Sequence, residues 1–118
     1  MLIYVCSPYA GDIRTNVKNA KRYSRYIVER GHIPFAPHLL FPQFMDDNNE
    51  DERQKALLFG QKMLDKCDEM WVFGESVSEG MYAEIKYARE KGYKIRWFAQ
   101  DLTRTDVAPP MPAVNADE

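Results

Sequence analysis

A carboxylate set one and a half turns into a helix that follows a buried strand can act as a nucleophile toward an electron-poor carbon, typically an anomeric carbon. Glu84 holds that position within DEMWVFGESVSEGMYAEIKYA, residues 68–88. Met70–Phe73 is a short apolar run of strand length, Gly74 ends it, and Ser78 stands where a helix N-cap belongs, followed by Glu79. Met81, Ile85 and Ala88 recur at helical spacing and predict a core-facing stripe. The amides and positive dipole end at the start of such a helix favour an anion. The competing reading of Glu84 is a surface glutamate paired with Lys86 or Arg89.

Other residues with chemical potential are scattered. Ser7 and Tyr9 lie in the turn-rich segment Ser7–Asp12 after an apolar first run; this is neither a Walker loop nor GxGxxG. His38 suits a phosphate or a leaving base, or equally a structural hydrogen bond. Arg53 can reach toward an anion or point to solvent. No Ser-His-Asp arrangement occurs, and two histidines are too few for a metal triad. The acidic run Asp46–Glu52 lacks the mid-loop glycine of an EF-hand and reads as a solvated loop and helix start. Cys6 and Cys67 form no CxxC and read as structural thiols. Neither a cofactor nor a metal is expected.

The elements that would position these residues follow in order. Leu2–Cys6 is a continuous apolar strand. Arg14–Arg30 is helical, with Val17, Ala20, Ser24, Ile27 and Val28 on one face and Gly31 at the C′ stop. His32–Ala36 is a short strand whose Pro34 suggests an edge. Pro37–Phe44 carries prolines near both ends, which forbid one regular helix through it, and it is too apolar for an ordinary loop; it reads as a lid or a subunit contact. A second helix spans roughly Glu52–Lys66, a third ends at Gly92, and Lys94–Phe98 is a last strand. This alternation predicts a single open parallel α/β sheet of four to five strands with helices on both faces, flavodoxin- or Rossmann-like. The loops leaving the strands would then converge at one rim. The expected domain covers residues 1–100, and 101–118, with Pro109, Pro110 and Pro112, is expected to be a flexible tail.

The chain has 118 residues and a formal net charge of −2, which sets it apart from general nucleic-acid binders with their basic patches. The apolar start stops at Ser7-Pro8 without a basic leader, and no apolar run approaches membrane-spanning length, so a cytoplasmic protein is expected. The abundance of large aromatics, among them Phe41, Phe44, Trp71, Tyr82, Tyr87 and Trp97, points to a homo-oligomer.

Four blocks carry a family resemblance: IYVCSPYAGD (3–12), GHIPFAPHL (31–39), CDEMWVFG (67–74) and SEGMYAEIKYA (78–88). In this order they resemble the nucleoside 2-deoxyribosyltransferase-like superfamily, in a small branch of it, over about residues 1–98. The last block is the most specific: Gly80 and Glu84 match the family's Gly-x-x-x-Glu segment, while Lys86 replaces its usual glycine. The resemblance implies that Glu84 attacks C1′ of a nucleoside or nucleotide, that Tyr4 or Tyr9 orients it, and that Asp68 helps protonate the leaving base. Water or a second base would resolve the glycosyl-enzyme. Transferases of the family often carry an aspartate six residues before the nucleophile, where this chain has Ser78, as in the nucleotide N-hydrolases. A neutral hydroxyl there accepts a 5′-phosphate better than a carboxylate does, with Ser7 and Arg14 as further candidates. The implied reaction is N-glycosidic hydrolysis or transfer on a nucleoside 5′-monophosphate or related ribosyl ligand. The alternative is a non-catalytic nucleotide-binding module of the same fold. Family members form dimers with shared sites, which a homodimer here would match.

Overall fold

The computed structural model describes residues 1–112. Five strands form one sheet in the order β2-β1-β3-β4-β5: β1 (Leu2–Cys6), β2 (Ile33–Phe35), β3 (Glu69–Phe73), β4 (Lys94–Phe98) and β5 (Arg104–Thr105). The first four are mutually parallel. The main helices are α1 (Ile13–Glu29), α3 (Glu50–Leu64) and α4 (Glu79–Lys91), with a short α2 (Pro37–Leu40) ahead of a 3-10 turn at Phe41–Gln43.

The sheet's pleat divides the core in two. Ile3, Val5, Trp71, Phe73 and Phe98 face α1, which contributes Tyr23 and Ile27. Tyr4, Cys6, Met70 and Val72 face the other way and meet Leu64 of α3 and Met81, Ile85 and Ala88 of α4. α1 is capped by the Asp12 carboxylate, which accepts from Thr15 N at 3.2 Å, and it stops where Gly31 takes φ +83°. Its buried stripe is Ala20, Tyr23 and Ile27, whereas Val28 is 47% exposed. The helix is thus rotated relative to the aliphatic face expected from sequence. Tyr23 causes this: its ring stacks on Phe73 at 4.4 Å, and Phe73 stacks on Phe98 at 4.9 Å. The proline-flanked segment forms two short helical turns, with a proline near the start of each. A missing N–H costs nothing at the first helical positions.

The expectation of a purely parallel sheet is corrected by β5, which runs antiparallel to β4 with Trp97 opposite Thr105 and Phe98 opposite Arg104. The chain reverses within a few residues, through Ala99 N to Thr103 O and Leu102 N to Ala99 O hydrogen bonds of 2.9 Å each. A connection that short permits only an antiparallel return. Residues 101–112, expected to belong to a flexible tail, therefore supply a strand, and Pro110 O accepts from Val77 N at 3.2 Å. The rest of that expected tail, 113–118, lies outside the described residues.

The Tyr23–Phe73–Phe98 stack is the main tie between α1 and the sheet. Phe73→Ala is expected to lower unfolding free energy by about 3–5 kcal/mol in urea titrations; a loss below about 1 kcal/mol would show that α1 is held by other contacts.

Candidate active site

The strand order reverses between β1 and β3: α1 leaves β1 on one face of the sheet and α4 leaves β3 on the other. Ligands of open α/β sheets sit at such a reversal, beyond the strands' carboxyl ends. A cavity of about 330 Å³ opens here, between α3, α4 and the Pro37–Asp47 segment.

Glu84 lies on its floor. Ser78 fixes the start of α4, its hydroxyl accepting from Met81 N at 3.2 Å. Met81, Glu84, Ile85 and Ala88 then fall on the buried face, so the helix repeat turns a carboxylate inward among apolar neighbours. Glu84 is only 8% exposed, and the hydroxyl of Tyr4, from the middle of β1, donates to its Oε2. Among the described residues no other hydrogen bond reaches this carboxylate and no buried side-chain oxygen lacks a partner, so Oε1 is the oxygen open to the cavity. Gly60 of α3 makes room for this pair: a Cβ there would stand 2.8 Å from the Tyr4 hydroxyl. A mid-helix glycine costs roughly 1 kcal/mol in propensity, and this contact accounts for it.

Burial pushes the Glu84 carboxyl up to about 7, opposed by the Tyr4 hydrogen bond. Burial and the Glu84 charge together push the Tyr4 phenol well above its ordinary value. His38 forms another part of the wall, its ring stacked on Tyr9 at 4.9 Å. Burial lowers its pKa to about 4, against the Asp47 charge and a hydrogen bond to the Ser7 backbone, so the ring is neutral at pH 7. The lining is rich in acid: Asp46, Asp47, Glu50, Glu52 and Glu79 contribute to it, with Arg53 as its one guanidinium among the described residues.

Of the residues singled out in the sequence, Tyr4, Tyr9, His38, Gly80 and Glu84 share this cavity. Ser7 is buried, Ser78 is engaged as the α4 cap, and Arg14 is exposed on α1; none of the three lines the wall. Asp68 does not join the site. Its carboxylate accepts from Leu2 N at 2.7 Å, at the edge where the parallel strands enter, whereas the cavity lies where they leave. Cys6 and Cys67 are buried free thiols. Among the described residues no group of three or more His, Cys, Asp or Glu is arranged to hold a metal ion, and no helix is long and apolar enough to cross a membrane.

The Glu84 geometry has a consequence for stability. A carboxyl whose native pKa lies above its unfolded value binds its proton more tightly when folded, so the stability contributed by Glu84 is fully present below about pH 4.5 and is lost as pH rises to about 7. The loss is on the order of 3 kcal/mol and levels off above that range. Glu84→Gln, which keeps the neutral shape, is expected to flatten this part of the pH–stability profile and to exceed the wild type at pH 8 in thermal and urea melts. Parallel profiles for the two proteins would show that Glu84 is not the buried acid described.

No curated protein matches the chain by sequence. Among solved structures it is similar to a 2-deoxyribosyltransferase from Bacillus psychrosaccharolyticus, at 16% identity and a TM-score of 0.69, over 84% of this chain and 72% of that one. That enzyme is described as a biocatalyst for the synthesis of antiviral and antitumoral nucleosides. The likeness establishes a nucleoside 2-deoxyribosyltransferase-like fold. Residues 1–98 match the family described as a domain of unknown function, DUF7768, and the chain belongs to that family.

Proposed function

We propose that the protein cleaves the N-glycosidic bond of a nucleoside, with Glu84 as the nucleophile. The observation that carries this reading is the Glu84 carboxylate, hydrogen-bonded by Tyr4 on the floor of a cavity large enough for a small organic ligand. In the first step Oε1 attacks C1′; the C1′–O bond forms, the C1′–N bond breaks, and the base departs with the electron pair and takes up a proton. In the second step water, or a second base, attacks C1′ of the glycosyl ester and releases the carboxylate. Tyr4 fixes the orientation of the carboxylate and lowers its cost of ionisation. Tyr9 and His38 offer a stacked aromatic wall for the base.

The acidic wall bears on the substrate. A 5′-phosphate brought among several carboxylates meets repulsion, and the cradle expected from Ser7, Arg14 and Ser78 does not line the cavity. Arg53 and the first amides of α4 are the groups there suited to a phosphate. The reading therefore favours an unphosphorylated nucleoside over its 5′-monophosphate. The second reading, a binding module without turnover, draws on the same burial: with a pKa of about 7, a large fraction of the Glu84 side chains is protonated at neutral pH and not nucleophilic. We further propose self-association through the apolar surface beside the cavity, where Phe44 is 65% exposed and Leu58 58%.

Incubation with 2′-deoxynucleosides, ribonucleosides and their 5′-monophosphates tests the proposal by chromatographic release of free base. The expected result is release from a nucleoside, faster than from its monophosphate, with kcat/KM rising as pH increases through about 7 and lost by at least ~100-fold in Glu84→Ala. Saturable binding without release would support the module instead. Phe44→Glu is expected to shift sedimentation toward the monomer; a monomeric wild type would contradict the proposed self-association.

A further inference from the structure

A second cavity, of about 400 Å³, opens on the α1 side of the sheet, the face opposite the Glu84 site. Its position follows from the topology. No helix comes between β4 and β5, because the chain turns back on itself to form β5. The sheet beside the end of α1 is left open there. The wall is aromatic, from Tyr26, Trp71 and Phe98, and three arginines from three separate elements share it. Arg30 caps the end of α1, Arg96 lies on β4 and Arg104 on β5.

The charge around this cavity is one-sided. Among the described residues, no aspartate or glutamate lines it. The nearby Glu69 carboxylate is turned to internal use, accepting from Arg96 Nε at 2.7 Å and Trp71 Nε1 at 3.0 Å. Arg30 lies over the Tyr26 ring at 3.5 Å, a stacking that holds its guanidinium in place. Neither Arg30 nor Arg104 forms an ion pair among the described residues. In a chain of net charge −2, cations thus gather on one face of the sheet while carboxylates crowd the cavity on the other.

We propose that this second cavity binds a small phosphate ester of about the size of a nucleoside monophosphate. Its phosphate is taken by the guanidinium groups of Arg30 and Arg104, whose planar forks match phosphate oxygens. Its organic body lies against the aromatic wall. Arg96 is held by its ion pair with Glu69, which compensates its charge, so Arg30 and Arg104 carry the attraction. The site is distinct from the Glu84 cavity and does not depend on the chemistry proposed there.

Calorimetric titration of the Glu84→Gln protein with adenosine 5′-monophosphate, adenosine and inorganic phosphate tests this without turnover at the first cavity. The expected result is saturable binding of the monophosphate, weakened by rising salt, by about tenfold or more in Arg30→Gln/Arg104→Gln, and unchanged by Arg53→Gln in the other cavity. Both arginines are exposed, so the double variant should fold, which its thermal melt verifies; the single Arg104→Gln variant is expected to weaken binding in the same direction. Adenosine should show no loss of affinity in the double variant. Absence of monophosphate binding would overturn the proposal, as would binding insensitive to the double variant or abolished by Arg53→Gln. Inorganic phosphate binding as tightly as the monophosphate would overturn the claim that an organic ester is recognised.

Discussion

The glycosidic chemistry proposed for this protein rests on one buried hydrogen bond, from the Tyr4 hydroxyl to the Glu84 carboxylate. An ionised carboxylate in an apolar interior loses its hydration, and a single phenol restores only part of it. The outcome is an acid poised near neutrality, about 7, rather than fully ionised. Such a group costs stability when charged and responds strongly to whatever enters the cavity above it. A ligand carrying developing positive charge at C1′ would compensate the anion in the way bulk water cannot.

The fold supplies this bond from parts far apart in the chain. Tyr4 points to the α3–α4 face because β1 alternates, sending Ile3 and Val5 to the aromatic stack under α1 and Tyr4 and Cys6 to the opposite side. Glu84 arrives there because Ser78 sets the first turn of α4 and the helix repeat does the rest. Gly60 leaves out the one side-chain atom that would displace the phenol. The two faces of the sheet are therefore unlike: one holds the buried acid under an acidic mouth, the other packs α1 and leaves a basic recess beside it.

Much of this was legible in the residues. β1, β3 and α4 announce themselves by uninterrupted apolar runs and a serine cap, whereas the sequence leaves Glu84 open between an inward carboxylate and a surface one, and its burial on the Met81, Ile85 and Ala88 face is seen only in the structure. Parallel strands likewise put a residue that precedes β3, such as Asp68, at the edge away from the site. β5 was not legible, since Arg104–Thr105 has no pattern of its own and exists through pairing with β4. Tyr23 does not declare itself as core in the sequence, because a polar tip hides an aromatic body that Phe73 receives face to face. Gly60 reads as an ordinary small residue until the tertiary contact with Tyr4 is known. The acidic run Asp46–Glu52 reads in the sequence as a solvated loop and helix start; that it borders the cavity, and so bears on ligand charge, depends on tertiary packing of the Pro37–Phe44 turns.

The central claim is that Glu84 forms a covalent bond to a sugar carbon. A nucleoside analogue fluorinated at C2′ slows release of the glycosyl group and allows the adduct to accumulate, and peptide mass spectrometry locates it. The account predicts one glycosyl group per chain, attached to Glu84. Attachment to another residue, or turnover of nucleosides with no adduct at Glu84, would contradict it.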